Sequence, residues 1–240
     1  MCGRVRLSSD YSEIKIKLKF DAAAAAPNFE ADWNKPPTAP MLVAIRSQDG
    51  KRTPKMMKWG LIPHWAKDDK IQYSTHNAHS EEFTTKPAFR DAWKRGQRCL
   101  LVHNGLYEWK KLDEKGKKKQ TYAIDMADGS PMVTAGLWSL WKSPQSGEEI
   151  LTCTMMTCEP NKVMGELHDR MPVILDPDAY DLWLDPGVRD AGAASDLLKP
   201  CDARLMRCYP VSTRINHVVH DDEGCSVPVE LAYIQSRLFS

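Results

Sequence analysis

The chain has 240 residues and a mass of 27.2 kDa, between one large domain and two small ones, and a single domain of this size buries roughly 70% of its unfolded surface. Hydrophobic residues make up 42% and charged residues 27%, with 33 Lys plus Arg against 32 Asp plus Glu for a net charge of +1; this excludes disordered, collagen-like and coiled-coil chains. So even a balance argues against attraction to nucleic acid through bulk charge and leaves room for a local basic groove.

The longest apolar run, Ala22 to Ala26, is far short of the ~20 residues that span a bilayer. The first residues lead into no apolar segment of the secretory type, so no membrane association and a cytoplasmic location are expected.

In chain order, a helix is predicted from Ser9, as N-cap, to Lys17, and a strand over Met41–Arg46. A helix over Ala88–Arg95 is followed by strands at Arg98–His103, Gln120–Asp125, Met132–Gly136 and Ile150–Met155. Next come a helix over Asn161–Leu167, a strand over Met171–Leu175, a helix over Pro177–Leu184 opened by Asp176-Pro177, and a helix over Val229–Leu238. Strands rich in β-branched residues dominate, and the helices are short. Between two strands lies Lys110–Lys119, six lysines in ten residues around Gly116, which reads as a solvated hairpin or as a loop that contacts phosphates. With no composition break and no internal repeat, the economical expectation is one α+β domain over 1–240 with a mostly antiparallel sheet.

Seven cysteines, Cys2, Cys99, Cys153, Cys158, Cys201, Cys208 and Cys225, contain no C-x-x-C pair. An odd count without close pairs favours reduced, mostly buried thiols over a disulfide framework or a zinc site. His76-x-x-His79, and His217-x-x-His220 followed by Asp221 and Asp222, have ligand chemistry without a metal motif, so no metal is expected. Neither glycine-rich nucleotide motif occurs, and no cofactor is expected.

Position two carries the most chemistry. Cysteine is small enough for the methionine before it to be removed, leaving Cys2 as a 1,2-aminothiol. The amine, with a pKa of about 7.7–8.0, is partly neutral near pH 7, and the thiol, at about 8.5, follows closely. The amine can form a Schiff base with an aldehyde, and the thiol of the same residue can then close a thiazolidine ring. The thiol alone could instead attack an acyl group, as in an N-terminal-nucleophile hydrolase acting on peptides or amides. Cys2 could also be incidental to a noncatalytic DNA-binding module.

Glu108, in Gly105-Leu-Tyr-Glu-Trp109 after an apolar strand, is expected near a strand end, where neighbouring aromatics raise its pKa as general acid–base work requires. His168-Asp-Arg-Met-Pro172 suits either proton transfer or a salt-bridge corner. Thr75–Glu81 reads as a polar surface loop. For DNA, local basic residues Arg4, Arg6, Arg90, Lys94, Arg95, Arg98 and Arg214 interleave with Trp59, Trp65, Trp109 and Trp138, pairing phosphate contacts with stacking faces.

Nine collinear blocks together resemble the SOS response-associated peptidase (SRAP) family of abasic-site processing proteins. They are Met1–Arg4, Asn34–Thr38, Trp59–Ala66, Asn77–Glu81, Lys86–Arg90, Arg98–Trp109, Ala135–Trp138, His168–Pro172 and Tyr209–Asn216. The resemblance implies a single α+β domain on a barrel-like β core, and a positively charged cleft for single-stranded DNA containing abasic sites. It further implies that mature Cys2 links covalently to the ring-opened aldehyde, with Asn77 positioning the sugar, Glu108 as acid/base group and His168 assisting ring opening. Self-removal of Met1, a reversible crosslink and a β-elimination side path are implied too, with Arg4, Trp65, Arg90 and Arg214 as DNA contacts. A monomer is the default, with replication-fork proteins as candidate partners. Three positions depart from the family pattern: His79 replaces the usual Arg, Val102-His103-Asn104 replaces Pro-Ala-Asp or Pro-Ala-Ser, and His64 replaces a small residue.

Overall fold

A computed structural model describes residues 2–70, 74–188 and 191–231. The strands in chain order are β1 (Val5–Leu7), β2 (Asp32–Lys35), β3 (Pro40–Arg46), β4 (Arg52–Trp59), β5 (Asn77–His79), β6 (Arg98–His103), β7 (Gly105–Lys111), β8 (Lys119–Met126), β9 (Met132–Lys142), β10 (Glu149–Cys158), β11 (Met171–Pro172) and β12 (Met206–Val211). The helices that matter for the site are α1 (Tyr11–Leu18), α2 (Pro87–Lys94), α3 (Lys162–Gly165) and α4 (Tyr180–Leu184).

Five strands close on themselves. β4, β3, β6, β9 and β10 pair antiparallel in that order, and β10 returns parallel onto β4 through Thr152↔Lys58 and Cys153↔Trp59. Closure removes the exposed edges of the barrel. β5 extends β10 in parallel beyond β4, and β11 caps the same strand antiparallel. A second, antiparallel sheet runs β12-β8-β7-β1-β2. Its Val5, Leu106 and Ile124 face join the core of the barrel, whereas Tyr107, Ala123 and Val211 build a smaller cluster on the opposite face. Alternation of side chains along each strand produces these two faces, and it decides where Glu108 points. The fold is therefore α+β on a closed, mostly antiparallel barrel, in the class the sequence predicts.

The elements differ from expectation in instructive ways. β9 continues six residues past Gly136, because this glycine marks a close approach and not a turn. A Cβ there would lie 2.1 Å from Leu101 Cδ1 and 2.7 Å from the Thr154 carbonyl oxygen. The lysine-rich segment is a hairpin joining β7 to β8, with Lys111 opposite Lys119 and Gly116 at φ +62°. The first helix starts later than expected. Asp10 holds the N-cap position without a side-chain bond, and Ser9 is occupied by Asn104, which accepts from its amide (2.9 Å) and donates to its hydroxyl (2.7 Å). Asn161 does cap α3, accepting from the amides of Val163 and Met164. The segment after Asp176 splits into a 3-10 turn (Pro177–Ala179) and α4. In the last predicted helix, Val229–Leu231 is not helical, with Val229 N–H donating to the Pro210 carbonyl; its remainder lies outside the described residues. No helix among the described residues is long and apolar enough to cross a membrane.

Candidate functional site

Cys2 is fully buried where the N-terminal segment passes between the barrel and the second sheet. Two neighbours fix it. Asn77, on β5, donates its side-chain amide to the main-chain carbonyl of Cys2 at 2.9 Å. Glu108, at the middle of β7, places its carboxylate beside the thiol, whose pKa is pushed well above the usual cysteine value first by burial and then by the charge and hydrogen bond of Glu108. Both neighbours are themselves buried, Asn77 at 5% and Glu108 at 3% exposure. Asn77 Oδ1 and Glu108 Oε1 have no hydrogen-bond partner among the described residues, which leaves acceptor capacity next to Cys2 in a dry setting.

Glu108 is central in its own strand, not at a strand end, and alternation from Leu106 turns it toward the barrel. The polar run Thr75–Glu81 is not a surface loop throughout, because Asn77–His79 forms a strand on β10 through Met155↔Asn77 and Met156↔Ala78, burying Asn77 and Ala78. Parallel pairing satisfies the backbone and frees the Asn77 side chain to bind Cys2.

Glu108 and His168 line one cavity of about 770 Å³, together with Trp109, Lys110, Lys111 and Lys119. His168 follows α3. Its Nδ1 accepts the Arg170 amide at 3.0 Å and lies 2.8 Å from Asp169 Oδ1. Arg170 is anchored by two bonds to Glu81 (3.1 and 2.8 Å) and one to the Thr157 carbonyl (2.6 Å), which ties the His168 turn to the barrel. On the other flank, Asn77 and His79 line a cavity of about 480 Å³ with Lys86 and Phe89.

The structure thus brings together Cys2, Asn77 and Glu108, with His168 sharing the cavity of Glu108. The other predicted contacts are placed differently. Arg4 is half-buried and its Nη1 bonds Asn34 Oδ1 and, at 2.9 Å, the Ile215 carbonyl. Asn34 in turn donates to the carbonyls of His217 and His220, so Arg4 works as a clamp on the segment after β12. Arg6 and Arg98 are buried. Arg98 stacks over Trp93 at 4.0 Å and bonds the carbonyls of Asp185 and Val188, so it fastens the end of α4 instead of meeting solvent. Trp65 is 48% exposed. Arg90, exposed on α2, lies 3.7 Å from Asp91, and Arg214 is ion-paired with Asp222. Neither these two nor Trp65 lines the cavities flanking Cys2.

All seven thiols are free. No group of three or more His, Cys, Asp or Glu side chains able to hold a metal occurs among the described residues. His76 is turned inward, its Nδ1 2.7 Å from the Ser74 hydroxyl, and burial lowers its pKa; the carbonyls of His217 and His220 serve Asn34. Sequence reasoning missed the clamps made by Asn34 and Asn104, whose partners lie far off in the chain. The three cavity-lining lysines were visible in the lysine run, with no signal of which cavity they face.

A closed five-stranded barrel flanked by an antiparallel sheet, with a second-position cysteine held between a buried amide and a buried carboxylate, defines the class of protein. The family model "SOS response associated peptidase (SRAP)" matches residues 1–218, and the chain belongs to that family. It is 37% identical over 216 residues to the abasic site processing protein YoqW of Bacillus subtilis, covering 90% of this chain and 94% of that protein. It is 30% identical over 232 residues to the abasic site processing protein HMCES of Gallus gallus, covering 85% and 68%. Among solved structures, a protein from Bacteroides thetaiotaomicron superposes with a TM-score of 0.75 at 23% identity, covering 89% of this chain and 93% of that one. One from Bordetella bronchiseptica gives 0.74 at 25%, covering 88% and 100%.

Proposed function

We propose that this protein processes abasic sites in single-stranded DNA by joining them covalently to Cys2 once Met1 has been removed. The observation that carries this reading is the buried thiol of Cys2 against Glu108, with its main chain fixed by Asn77. An aminothiol needs an aldehyde, and a ring-opened abasic sugar supplies one. The names of the relatives from Bacillus subtilis and Gallus gallus support the same substrate.

The chemistry balances without a cofactor. The α-amine adds to C1′ of the open sugar, and loss of one water gives the imine. Sulfur then adds to the imine carbon, the thiol proton passes to nitrogen and a thiazolidine forms. Because burial and Glu108 both hold Cys2 as a thiol, the sulfur needs a local base as it adds, and the Glu108 carboxylate stands where it can take that proton and return it. His168, in the cavity of Glu108, serves proton transfer at the sugar oxygen released on ring opening. Asn77 fixes the geometry of Cys2. Lys110, Lys111 and Lys119 offer the strand a cationic wall. Diversion of the imine by β-elimination would give a lyase-type cleavage, and hydrolysis of the thiazolidine would reverse the link.

The test is intact mass before and after incubation with a single-stranded oligonucleotide carrying one abasic site, against an undamaged control. The expected result is a protein lacking Met1 that gains the mass of the abasic strand less one water, with no gain in Cys2→Ser. A normal adduct in Cys2→Ser overturns the reading. Turnover of a small acyl substrate by an enzyme that forms no adduct would replace it with an N-terminal-nucleophile hydrolase.

A further inference from the structure

On the face of the second sheet away from Glu108, one row of side chains crosses four strands. The register places Arg6 of β1 opposite Gly105 of β7, Gly105 opposite Asp125 of β8, and Asp125 opposite Arg207 of β12. Gly105 opens the row. A Cβ there would stand 2.4 Å from Asp125 Oδ1 and 2.8 Å from the Ile124 carbonyl oxygen, so only glycine lets Arg6 reach over β7 to a carboxylate two strands away.

Asp125 is 1% exposed. Its Oδ1 lies 2.6 Å from Arg6 Nη2, and its Oδ2 receives Arg207 Nη2 at 3.1 Å and the Tyr209 hydroxyl at 2.8 Å. One buried carboxylate therefore faces two guanidinium groups. Arg6 is 7% exposed, and its Nη1 has no hydrogen-bond partner among the described residues. These groups line a cavity of about 560 Å³ whose remaining walls include Trp33 and Pro228, and among the described residues Asp125 is its only lining acid. Asp125 balances one of the two guanidinium groups, Arg207 keeps 55% of its side chain in solvent at the mouth of the cavity, and the unpartnered Arg6 Nη1 is a buried donor deeper in it. Two convergent guanidinium groups with one positive charge in excess suit an oxyanion best.

We propose that this cavity is a second binding site, for the phosphate group of a nucleotide, with Arg207 and Arg6 on the phosphate and Trp33 beside the base. Asp125 and Tyr209 act as positioning residues that hold the two guanidinium groups in register. The site lies on the far side of the sheet from Cys2, and the proposal does not depend on how Cys2 reacts. The phosphate can belong to a free mononucleotide or to a strand, and the same experiment separates the two.

The experiment is an NMR titration of the uniformly 15N-labelled full chain, following Gly129 and Ser226 in this cavity and Gly165 in the cavity of Glu108. Inorganic phosphate and 2′-deoxyadenosine 5′-monophosphate are each expected to give saturable shifts at Gly129 and Ser226, and deoxyadenosine none. Arg207→Gln is expected to weaken nucleotide binding about tenfold, as loss of a charge-assisted bond requires. Arg207→Lys should lose less, and both variants keep the Arg6–Asp125 pair that ties the sheet. An undamaged oligonucleotide without terminal phosphates that shifts the same amides assigns the site to strand phosphodiesters; shifts with the mononucleotide alone assign it to free nucleotides. No saturable shift at Gly129 and Ser226 up to about 10 mM ligand, the edge of measurable affinity, overturns the proposal. So does binding that Arg207→Gln leaves unchanged.

Discussion

The side-chain amide of Asn77 and the main-chain carbonyl of Cys2, 75 residues apart in sequence, share a hydrogen bond of 2.9 Å inside the protein. It ties the N-terminal segment to β5 and, through β5, to the barrel strand β10. Asn77→Ala removes the donor and leaves a buried carbonyl without it, at a cost of about 1–3 kcal/mol. Adduct formation with an abasic oligonucleotide should slow by about tenfold or more, while the melting transition shifts by only a few degrees. Asn77→Asp, which keeps the shape and turns an acceptor toward an acceptor, should be at least as slow. Gel-resolved adduct rates for the three proteins check this, and a rate equal to wild type in both variants would show that the bond has no part in the reaction.

Glu108 raises the pKa of the Cys2 thiol on top of the larger effect of burial. Glu108→Gln removes a negative charge from beside the sulfur, so the thiol deprotonates at lower pH while the proton acceptor for the addition step is lost. The expected outcome is an adduct rate reduced about 10²-fold, a typical loss for a general base, with the pH profile displaced toward lower pH. Stopped-time assays between pH 6 and 9 would show both effects, and a variant whose profile coincides with wild type contradicts the role given to Glu108.

What could be read from the chain was set by range. The barrel strands at Arg98–His103 and Ile150–Met155 announce themselves as short, mostly apolar runs, and the structure keeps the first without change. Residues 52–59 were missed because Pro54 and three basic side chains interrupt the apolar pattern, although the strand is satisfied by Ala44↔Pro54 and its neighbours. Residues 77–79 were missed for the opposite reason, since a three-residue strand carries no period of its own and exists only because β10 is there to pair with it. Asn77 and Glu108, which meet at Cys2, and His168, which shares the cavity of Glu108, all stand in the collinear motifs. As basic residues Arg4, Arg6 and Arg98 read as candidate phosphate contacts, because charge alone gives no burial. Their partners, Ile215, Asp125 and Asp185, lie far away in sequence.

His103 gives the fold a pH dependence. It is fully buried, its Nδ1 lies 3.3 Å from the Gly105 carbonyl, and burial, reinforced by the nearby Arg6, lowers its pKa from 6.5 to about 4. The folded value lies below the unfolded one, so the unfolded chain takes up the proton first on acidification. The stability held by neutral His103 is complete above about pH 6.5 and is lost progressively as pH falls toward 4, by about 2 kcal/mol at pH 5. Carboxylates with depressed values titrate below this window. Urea midpoints at pH 7.5 and pH 5 should therefore differ markedly in the wild type and much less in His103→Gln; equal differences in the two proteins would rule out His103 as the cause.

The end of the β7–β8 hairpin holds Lys111 directly opposite Lys119, an arrangement that costs stability because like charges face each other across a strand pair. Lys110 is drawn to Glu166 at 3.5 Å across the same cavity that holds Glu108 and His168. A wall of three lysines there fits a strand whose phosphates replace that carboxylate and separate the like charges. Binding is best measured with Cys2→Ser, in which no covalent product accumulates. Each of Lys110→Gln, Lys111→Gln and Lys119→Gln should weaken binding of an abasic oligonucleotide and lower the slope of log affinity against log salt by about 0.7, the value for one phosphate contact on a single strand. Glu166→Gln should do the reverse at low salt, because it releases Lys110 for the phosphate. The rate of adduct formation at saturating DNA, measured with Cys2 intact, should stay near wild type in the lysine variants. A triple lysine variant with the wild-type salt slope would place the strand elsewhere on the molecule.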